Sequence, residues 1–248
     1  MFEVRGGGIR YGALRALEAV DLRIERGERV ALIGPSGAGK TSLIGLLNGS
    51  LAPAEGQVLV LGSDLARASP RERRAVQRRL GTVRQQFDLV GQLRVVHNVN
   101  AGRLGSWSLW RAALSLLAPR EVDVARRALS RVGLEDKLYA RTDGLSGGQQ
   151  QRVAIARVLA QEPVAILADE PIASIDPARA ADVVKLMLAL SAEAGTTLVV
   201  SLHDLPVALG RFDRIVALRD GRVAFDGPPE RLSEDAIEEL YAIDRRIE

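Results

Sequence analysis

The fold is decided by the stretch Gly34-Pro35-Ser36-Gly37-Ala38-Gly39-Lys40-Thr41. It fits the phosphate-binding loop pattern at every fixed position, because its outer glycines enclose four residues and are followed by lysine and threonine. An apolar run at residues 30–33 precedes it, and a helical pattern at residues 42–47 follows it. Glycines let backbone amides converge at a helix N-terminus, where the dipole favours negative charge. The stretch, called the P-loop below, predicts a nucleotide site in which Lys40 reaches the β- and γ-phosphates and the Thr41 hydroxyl ligates Mg²⁺.

A pair of carboxylates lies far downstream, where the apolar run at residues 164–168 ends in Asp169-Glu170. Open α/β sheets bind ligands at the carboxyl ends of their strands, and this strand delivers both side chains to that edge. Asp169 suits the coordination shell of Mg²⁺, and Glu170 suits the polarisation of a water for in-line attack on a γ-phosphate. Together with the P-loop, the pair predicts nucleotide hydrolysis.

Short apolar runs rich in β-branched residues alternate with longer amphipathic segments, which is typical of a mainly parallel α/β sheet with helices packed on it. Strands are predicted at residues 29–34, 57–61, 80–84, 164–169, 197–202 and 214–218. The stretch from about 87 to 160 has helical patterns and no convincing strand. We therefore predict a single domain over residues 1–248, with an α/β core at about 1–86 and 161–248 and an inserted helical subdomain at about 87–160.

Composition excludes several classes of protein. The chain has 248 residues, 47% apolar and 26% charged, which is enough to bury a substantial core and excludes a disordered or collagen-like chain. It has no cysteine, which excludes thiol catalysis, cysteine-ligated zinc and disulfides. Its 34 basic residues nearly balance 31 acidic ones and no stretch mixes basic and aromatic residues, so no nucleic acid partner is expected. The arginine-rich stretch at residues 71–84 predicts a solvated helix face, with anionic lipid headgroups as the alternative contact.

A second glycine-rich turn is Leu145-Ser146-Gly147-Gly148-Gln149, which opens a helical pattern. Ser146 is of the helix N-cap type and the glycines leave the first amides open, so this is a second helix start suited to an anion. One domain binds one nucleotide, so the second anion-binding helix N-terminus is explained if it contacts the nucleotide bound by another copy of the chain. With these motifs in this order, essentially the whole chain resembles the ATP-binding subunits of ABC transporters.

This resemblance implies a P-loop ATPase fold of the ABC type, with an N-terminal β region and a head-to-tail homodimer that holds two ATP molecules between its subunits. It implies ATP contacts at Tyr11, Gly34, Pro35, Ser36, Gly37, Ala38, Gly39, Lys40, Thr41, Ser42, Ser146, Gly147, Gly148, Gln149 and Asp176. It implies Mg²⁺ contacts at Thr41, Gln85 and Asp169, and catalytic roles for Glu170, His203 and Gln85. Tyr11 would stack on adenine, with edge packing as its alternative, and His203 would contact the γ-phosphate, with a core histidine as its alternative. Asp176 belongs to a loop that would link the two sites.

Two stretches depart from the family pattern. The glutamine that joins Mg²⁺ and the attacking water usually follows an aromatic or apolar residue, whereas Arg84 precedes Gln85 here. Gln85 is assigned because Leu89 and Asn98 then fall at the expected distances, and Gln86 is the alternative. Three glycines at residues 6–8 replace the usual polar and leucine residues before the adenine aromatic, which predicts a less rigidly held stacking position.

Within the family, the chain is most similar to ATPase subunits of phosphonate importers, and the short stretch Ala101-Gly102-Arg103-Leu104-Gly105 is the most specific to them. The resemblance implies uptake of phosphonate or a related small oxyanion through a separate transmembrane permease, with a periplasmic solute-binding protein as an indirect partner. It places the subunit peripherally on the cytoplasmic side of the inner membrane. The alternatives are another solute, an exporter, or a non-transport ABC ATPase acting on nucleic acid.

Both tryptophans lie in one short stretch, where Trp107, Trp110, Leu114 and Leu117 recur at three- and four-residue steps along one helix face. Such a stripe is compatible with a core position. It is also compatible with docking to the permease, because the segment follows Gln85 within the helical insertion, where the family resemblance places the groove for the permease. Sequence alone leaves both interpretations open.

Overall fold

The computed structural model describes residues 1–172 and 177–242, apart from the side chains of residues 116, 117 and 177–179. In that part of the chain the strands are β1 Phe2–Tyr11, β2 Leu14–Ile24, β3 Arg29–Ile33, β4 Glu55–Val60, β5 Ser63–Asp64, β6 Leu80–Val83, β7 Ala165–Ala168, β8 Thr197–Ser201, β9 Arg214–Arg219 and β10 Arg222–Gly227. The α-helices are α1 Lys40–Leu47, α2 Pro70–Gln77, α3 Val95–Asn100, α4 Leu109–Leu117, α5 Val122–Arg131, α6 Gly147–Ala160, α7 Pro177–Ala194, α8 Leu205–Arg211 and α9 Glu234–Tyr241. The chain clusters into two compact units, Met1–Arg73 with Thr197–Glu248 and Arg74–Thr196.

The first unit contains an antiparallel sheet in the order β2-β1-β4-β5. Phe2 and Val4 of β1 and Val20 and Ile24 of β2 are buried, because alternate residues of each strand face the core. The pairing of β1 with β2 shifts register between Val4 and Gly7 and again after Gly7. The glycine run at residues 6–8 is therefore an irregular part of β1, and the strand pairs with β2 both before and after this run.

The first unit also contains β3 with parallel neighbours on both sides, β8 and β9, and β10 lies antiparallel to β9. Every residue of β8 is buried, as are residues 30–33 of β3. These strands read as continuous apolar runs because a parallel strand covered on both faces has no solvent side. Their carboxyl ends lie at one edge, since Leu32 of β3 is paired with Ser201 of β8.

The second unit holds the parallel pair β6 and β7, with Val83 opposite Ala168. Its helix α6 packs against α3 and α5, and buries Val153, Ala154, Ile155 and Ala156. A short 3₁₀ helix, Ala101–Ser106, follows α3 directly and also packs on α6. These helices form part of the apolar interior of the second unit, to which the buried strands β6 and β7 also contribute.

All six strands that the sequence predicts are present, with ends within one or two residues of the expected positions. Residues 87–160 contain helices and turns and no strand, as expected. The predicted fold class is confirmed, because β3, β8 and β9 run parallel, as do β6 and β7, helices separate these strands along the chain, and an antiparallel β region lies at the N-terminal end. The predicted division into an α/β core and an inserted helical subdomain stays a prediction.

Four strands were not individually predicted: β1 and β2, covered only by the expected β region, and β5 and β10. The residues of β10 are alternately exposed and half-buried, so the strand offers little apolar signal. Among the residues that the structure describes, no helix combines the length and apolar character needed to cross a membrane.

Candidate functional site

The P-loop connects β3 to α1 and fits closely against its surroundings. Gly34 and Gly39 have φ values of +140° and +103°, in the left-handed region that disfavours residues with a Cβ. A Cβ on Gly34 would lie 2.1 Å from the carbonyl oxygen of Leu218, and one on Gly39 would lie 2.5 Å from that of Ala16. Both glycines are therefore required by the backbone conformation and by the lack of space.

Lys40 begins α1 and lies almost entirely inside the loop, with 4% of its surface exposed. Its Nζ donates hydrogen bonds to the carbonyl oxygens of Gly34, at 2.7 Å, and Pro35, at 3.0 Å. The next residue, Thr41, is exposed in the first turn of the helix, whereas Ser42 is buried. The loop thus holds an ammonium group at its centre and presents a hydroxyl beside it, at a helix start without an acidic residue in its first turn.

Two other predicted site residues of the first unit, Tyr11 and His203, lie on or next to strands whose neighbours contact or lead into the P-loop. Tyr11 ends β1 with 51% of its surface exposed, so it is free of the core and able to stack on a flat ring. Its hairpin partner β2 carries Ala16, whose carbonyl oxygen lies against Gly39. His203 is exposed just beyond β8, next to Asp204, whose carboxylate accepts a hydrogen bond from the amide of Val207 at 3.0 Å and caps α8. The core alternative for His203 is therefore wrong.

In the second unit, Gln85, Asp169 and Glu170 follow adjacent parallel strands. Gln85 comes two residues after β6 and is exposed, and Asp169 directly follows β7, with its amide bonded to the carbonyl oxygen of Val83 at 2.8 Å. The structure thus brings the glutamine and both carboxylates to one edge of this pair of strands. Gln86 is exposed at the same turn, so exposure does not separate it from Gln85.

Glu170 is half-buried and has a φ of +45°, which is rare for a residue other than glycine. Strain of this kind costs on the order of 1–3 kcal/mol and persists where the surroundings fix the backbone. A hydrogen bond fixes it here, because the Gln151 side-chain amide donates to the carbonyl oxygen of Pro171, the next residue. The carboxylate is thus presented on a backbone that α6 holds in place.

The glycine-rich turn before α6 forms a complete capping box. The Ser146 hydroxyl accepts from the amide of Gln149, and the Gln149 side chain accepts from the amide of Ser146 at 3.0 Å. A Cβ built on Gly147 or Gly148 would meet no atom within 4 Å among the described residues. The packing of the described residues therefore gives no reason for these two glycines.

A family model described as "ABC transporter" matches residues 17–173 of the chain. The chain belongs to the ABC transporter family. This confirms the resemblance on which the site assignment rests. The matched segment contains the P-loop, Gln85, the capping box before α6 and the acidic pair after β7.

Two curated relatives cover almost all of this ABC cassette. A "phosphonates import ATP-binding protein PhnC" of Anaeromyxobacter dehalogenans is 53% identical over 96% of the chain, and the chain spans only 47% of that relative. A protein of the same name from Pseudomonas putida is 45% identical over 96% of the chain and is covered to 88% of its own length. The chain therefore spans about half of the first relative and most of the second.

A solved ATP-binding cassette, dimeric in a post-hydrolysis state with ADP and Pi, is 31% identical, with a TM-score of 0.75. The alignment covers 92% of this chain and 99% of that one. The fold described above is thus that of an ABC cassette.

The predicted residue Asp176 and its neighbours Ser174 and Ile175 lie outside the described residues. Gln151 has no role predicted from the sequence. The structure places Gln151 at 0% exposure, bonded to the turn that follows Glu170. A polar residue on the otherwise apolar face of an amphipathic helix was the signal that could have found it.

The residues present fit a nucleotide with Mg²⁺. The P-loop surrounds the buried Lys40 ammonium, and Gly34 and Gly39 lie so close to the carbonyl oxygens of Leu218 and Ala16 that no Cβ fits there. Hydroxyl, carboxylate and amide oxygens, as on Thr41, Asp169 and Gln85, are hard donors of the kind that Mg²⁺ takes alongside phosphate oxygens.

The close approach at Gly39 gives a testable expectation. Gly39→Ala should lower the free energy of unfolding by about 2–4 kcal/mol, because the new methyl group meets the Ala16 carbonyl and the residue must keep a positive φ. Gly37→Ala is the matched control, since Gly37 also has a positive φ, of +83°, but a Cβ there meets no described atom within 4 Å. Urea unfolding of both variants measures the difference, and equal losses would show that the packing at Gly39 is looser than described.

Proposed function

We propose that this ABC cassette is the ATP-hydrolysing subunit of an importer that energises uptake of phosphonate, or a related small oxyanion, through a separate membrane permease. The observation that carries the proposal is the glycine-lined P-loop with Lys40 at its centre, in a chain about half identical to phosphonates import ATP-binding proteins. Transport specificity in such a system resides mainly in other subunits, so the solute is inferred from kinship alone.

The proposed binding roles follow from each group's chemistry and position. The P-loop amides and Lys40 bind the β- and γ-phosphates of ATP, because they combine a helix N-terminus with a buried positive charge. Tyr11 stacks on adenine. Thr41, Asp169 and Gln85 hold Mg²⁺, which when bound neutralises charge on the phosphates.

The proposed catalytic roles belong to three side chains. Glu170 accepts a proton from the attacking water and thereby polarises it, because its carboxylate is half-buried on a constrained backbone. His203 contacts the γ-phosphate, and Gln85 orients the water. Gln86 remains the alternative for this last role.

The capping box before α6 is proposed to serve a second copy of the chain. Ser146, Gly147, Gly148 and Gln149 would contact the γ-phosphate in the partner's P-loop, and Asp176 would lie in the loop that links the sites. Support comes from Gly147 and Gly148, which nothing within the described chain requires to be glycine.

The second unit carries a surface suited to a protein partner. Trp110 is 82% exposed and Leu114 is 47% exposed, so the core alternative is wrong for these two residues. Trp107 is half-buried, and the side chain of Leu117 lies outside the described part. Beside this face is a groove of about 920 Å³, lined among others by Leu104, Trp107, Arg78 and Arg157. We propose that the permease docks here and holds the subunit at the cytoplasmic face of the inner membrane. A periplasmic solute-binding protein would then act on the subunit indirectly, through the permease.

The function is tested by reconstituting the chain with the permease of its own gene neighbourhood in liposomes. ATP hydrolysis should rise when the solute-binding protein is loaded with methylphosphonate. Inorganic phosphate and sulfate are the controls, because they are small oxyanions without a carbon–phosphorus bond. If phosphate or sulfate stimulates hydrolysis and methylphosphonate does not, that oxyanion is the transported solute instead. If the chain hydrolyses ATP but no loaded binding protein stimulates it, the proposal of import is wrong.

Docking gives a further expected result. Trp110→Ala should leave thermal unfolding and basal ATP hydrolysis close to wild type, because the indole is exposed, and should weaken co-purification with the permease. Trp107→Ala in the same segment is the comparison for stability alone, since Trp107 also lines the groove. Its half-buried ring lies 5.3 Å from the Arg111 guanidinium, so its loss should cost on the order of 1–3 kcal/mol of stability. A large fall in the melting temperature of Trp110→Ala, with docking intact, would contradict the proposal.

A further inference from the structure

The last described helix, α9, is bonded to β9, the strand whose Leu218 carbonyl oxygen lies against Gly34 of the P-loop. The Ser233 hydroxyl caps its start by accepting from the amide of Ala236 at 3.2 Å, and Leu240 is buried with 3% exposure. Near its end, the Arg219 guanidinium of β9 donates to the carbonyl oxygen of Glu239. The helix therefore has a defined position, and its final residue, Tyr241, has one too.

Tyr241 contacts the first residue of the P-loop. Its phenol oxygen accepts a hydrogen bond from the amide of Gly34 at 3.2 Å, although the two residues lie 207 positions apart in sequence. Gly34 is buried and directly follows the last paired residue of β3, Ile33, which lies opposite Ala217 of β9. Tyr241 thus supplies an acceptor where the strand ladder ends, and a buried amide without one would lose free energy.

Gly34 is held at three points. Tyr241 accepts from its amide, the carbonyl oxygen of Leu218 fills the space next to its α-carbon, and its own carbonyl oxygen accepts from Lys40 Nζ at 2.7 Å. A rotation of the backbone at Gly34 would therefore move the point where the lysine ammonium is held. The orientation that Tyr241 imposes reaches the cation at the centre of the loop.

The phenol is suited to a constant hydrogen bond. Tyr241 is half-buried, and burial raises the pKa of its hydroxyl above the ordinary value, while the bond from Gly34 opposes part of that rise. The hydroxyl therefore stays neutral throughout the neutral pH range. No change of charge disturbs the contact under the conditions in which the P-loop would bind a nucleotide.

We propose that Tyr241 is a positioning residue for ATP binding: it fixes Gly34 so that the P-loop amides and Lys40 are arranged for phosphates before the nucleotide arrives. The inference rests on the proposed assignment of the ATP phosphates to the P-loop. Without the phenol oxygen, part of the binding free energy would be spent on ordering the loop, and affinity would fall. The hydrolytic groups are separate side chains, so turnover at saturating ATP would change little.

The test is Tyr241→Phe, which removes one oxygen and keeps the ring. The dissociation constant of a fluorescent ATP analogue and the KM for ATP should each rise about fivefold to tenfold, as for the loss of one buried hydrogen bond, while kcat stays within about twofold of wild type. Tyr139→Phe is the matched control, because Tyr139 is 53% exposed and lies on the other compact unit, and it should leave both values unchanged. A role limited to stability would instead lower the melting temperature and leave KM unchanged.

Lys40→Ala, measured in parallel, separates failure of the inference from failure of the proposed site. If Lys40→Ala loses ATP binding while Tyr241→Phe binds within about twofold of wild type, the positioning role is overturned and the site stands. If Lys40→Ala binds ATP as tightly as wild type, the P-loop assignment itself is wrong, and the role of Tyr241 falls with it. Loss of affinity in both variants, with Tyr139→Phe unchanged, supports both.

Discussion

Glu170→Gln should bind ATP as tightly as the wild-type subunit and hydrolyse it roughly 10²-fold or more slowly, as for loss of a general base. Glutamine keeps the size and most of the hydrogen bonding of glutamate but lacks the charge that polarises water. The backbone should not relax, because Glu170 already has a φ of +45° and Gln151 fixes the following proline carbonyl. Steady-state ATPase rates, with equilibrium binding of a fluorescent ATP analogue, measure the two effects separately.

Glu162→Gln is the matched control for this prediction. Glu162 is also a glutamate with a positive φ, of +55°, in the same unit, but its side chain is 74% exposed and lies 3.9 Å from Arg103 in a loose ion pair. Its replacement should leave turnover within about twofold of wild type, because an exposed pair of this kind contributes little. Gel filtration in ATP should also show the Glu170 variant accumulating as a dimer. A Glu170→Gln subunit that retains half the wild-type rate would assign the catalytic role to another residue.

Several parts of the site can be predicted from sequence because their chemistry is local. The P-loop is defined by spacing within eight residues, and the left-handed backbone at Gly34 and Gly39 explains why that spacing needs glycine. The acidic pair follows a short apolar run, and a buried parallel strand delivers its next residues to the edge of the sheet. Both features can be recognised in the sequence because each is formed by residues that are neighbours along the chain.

Other parts depend on contacts between residues far apart in sequence. Nothing near Tyr241 indicates that its phenol accepts a hydrogen bond from Gly34, because that contact requires α9 to be placed against β9. The irregular pairing of β1 arises in the same way. The sequence predicts flexibility from glycines 6–8, whereas the structure shows three register shifts between Val4 and Arg10, with paired residues before and after them. Local periodicity cannot specify such pairings, because they are set by which strands meet.

Ser146→Arg and Lys40→Ala subunits should each be inactive as homodimers, and mixing them should restore ATP-dependent association or limited hydrolysis. Each proposed site needs Lys40 from one subunit and Ser146 from the other. A mixed dimer therefore keeps one intact site, with the lysine of the Ser146 variant and the serine of the lysine variant. Activity of the mixture at several ratios of the two subunits, with a maximum near equal amounts, measures this complementation.

The geometry before α6 decides which controls this experiment needs. Ser146→Arg also removes the hydroxyl that caps α6, at a cost of about 0.5–2 kcal/mol, so part of its defect could be a destabilised helix. Ser146→Asp keeps a good cap but places a negative charge where the partner's γ-phosphate would lie, and it should be as inactive as the arginine variant while unfolding at the wild-type temperature. Complementation by both variants would assign the defect to the shared site. If instead the wild-type chain hydrolyses ATP as a strict monomer, at a rate per subunit that does not depend on protein concentration, the two-subunit site is wrong and the open space around Gly147 and Gly148 needs another explanation.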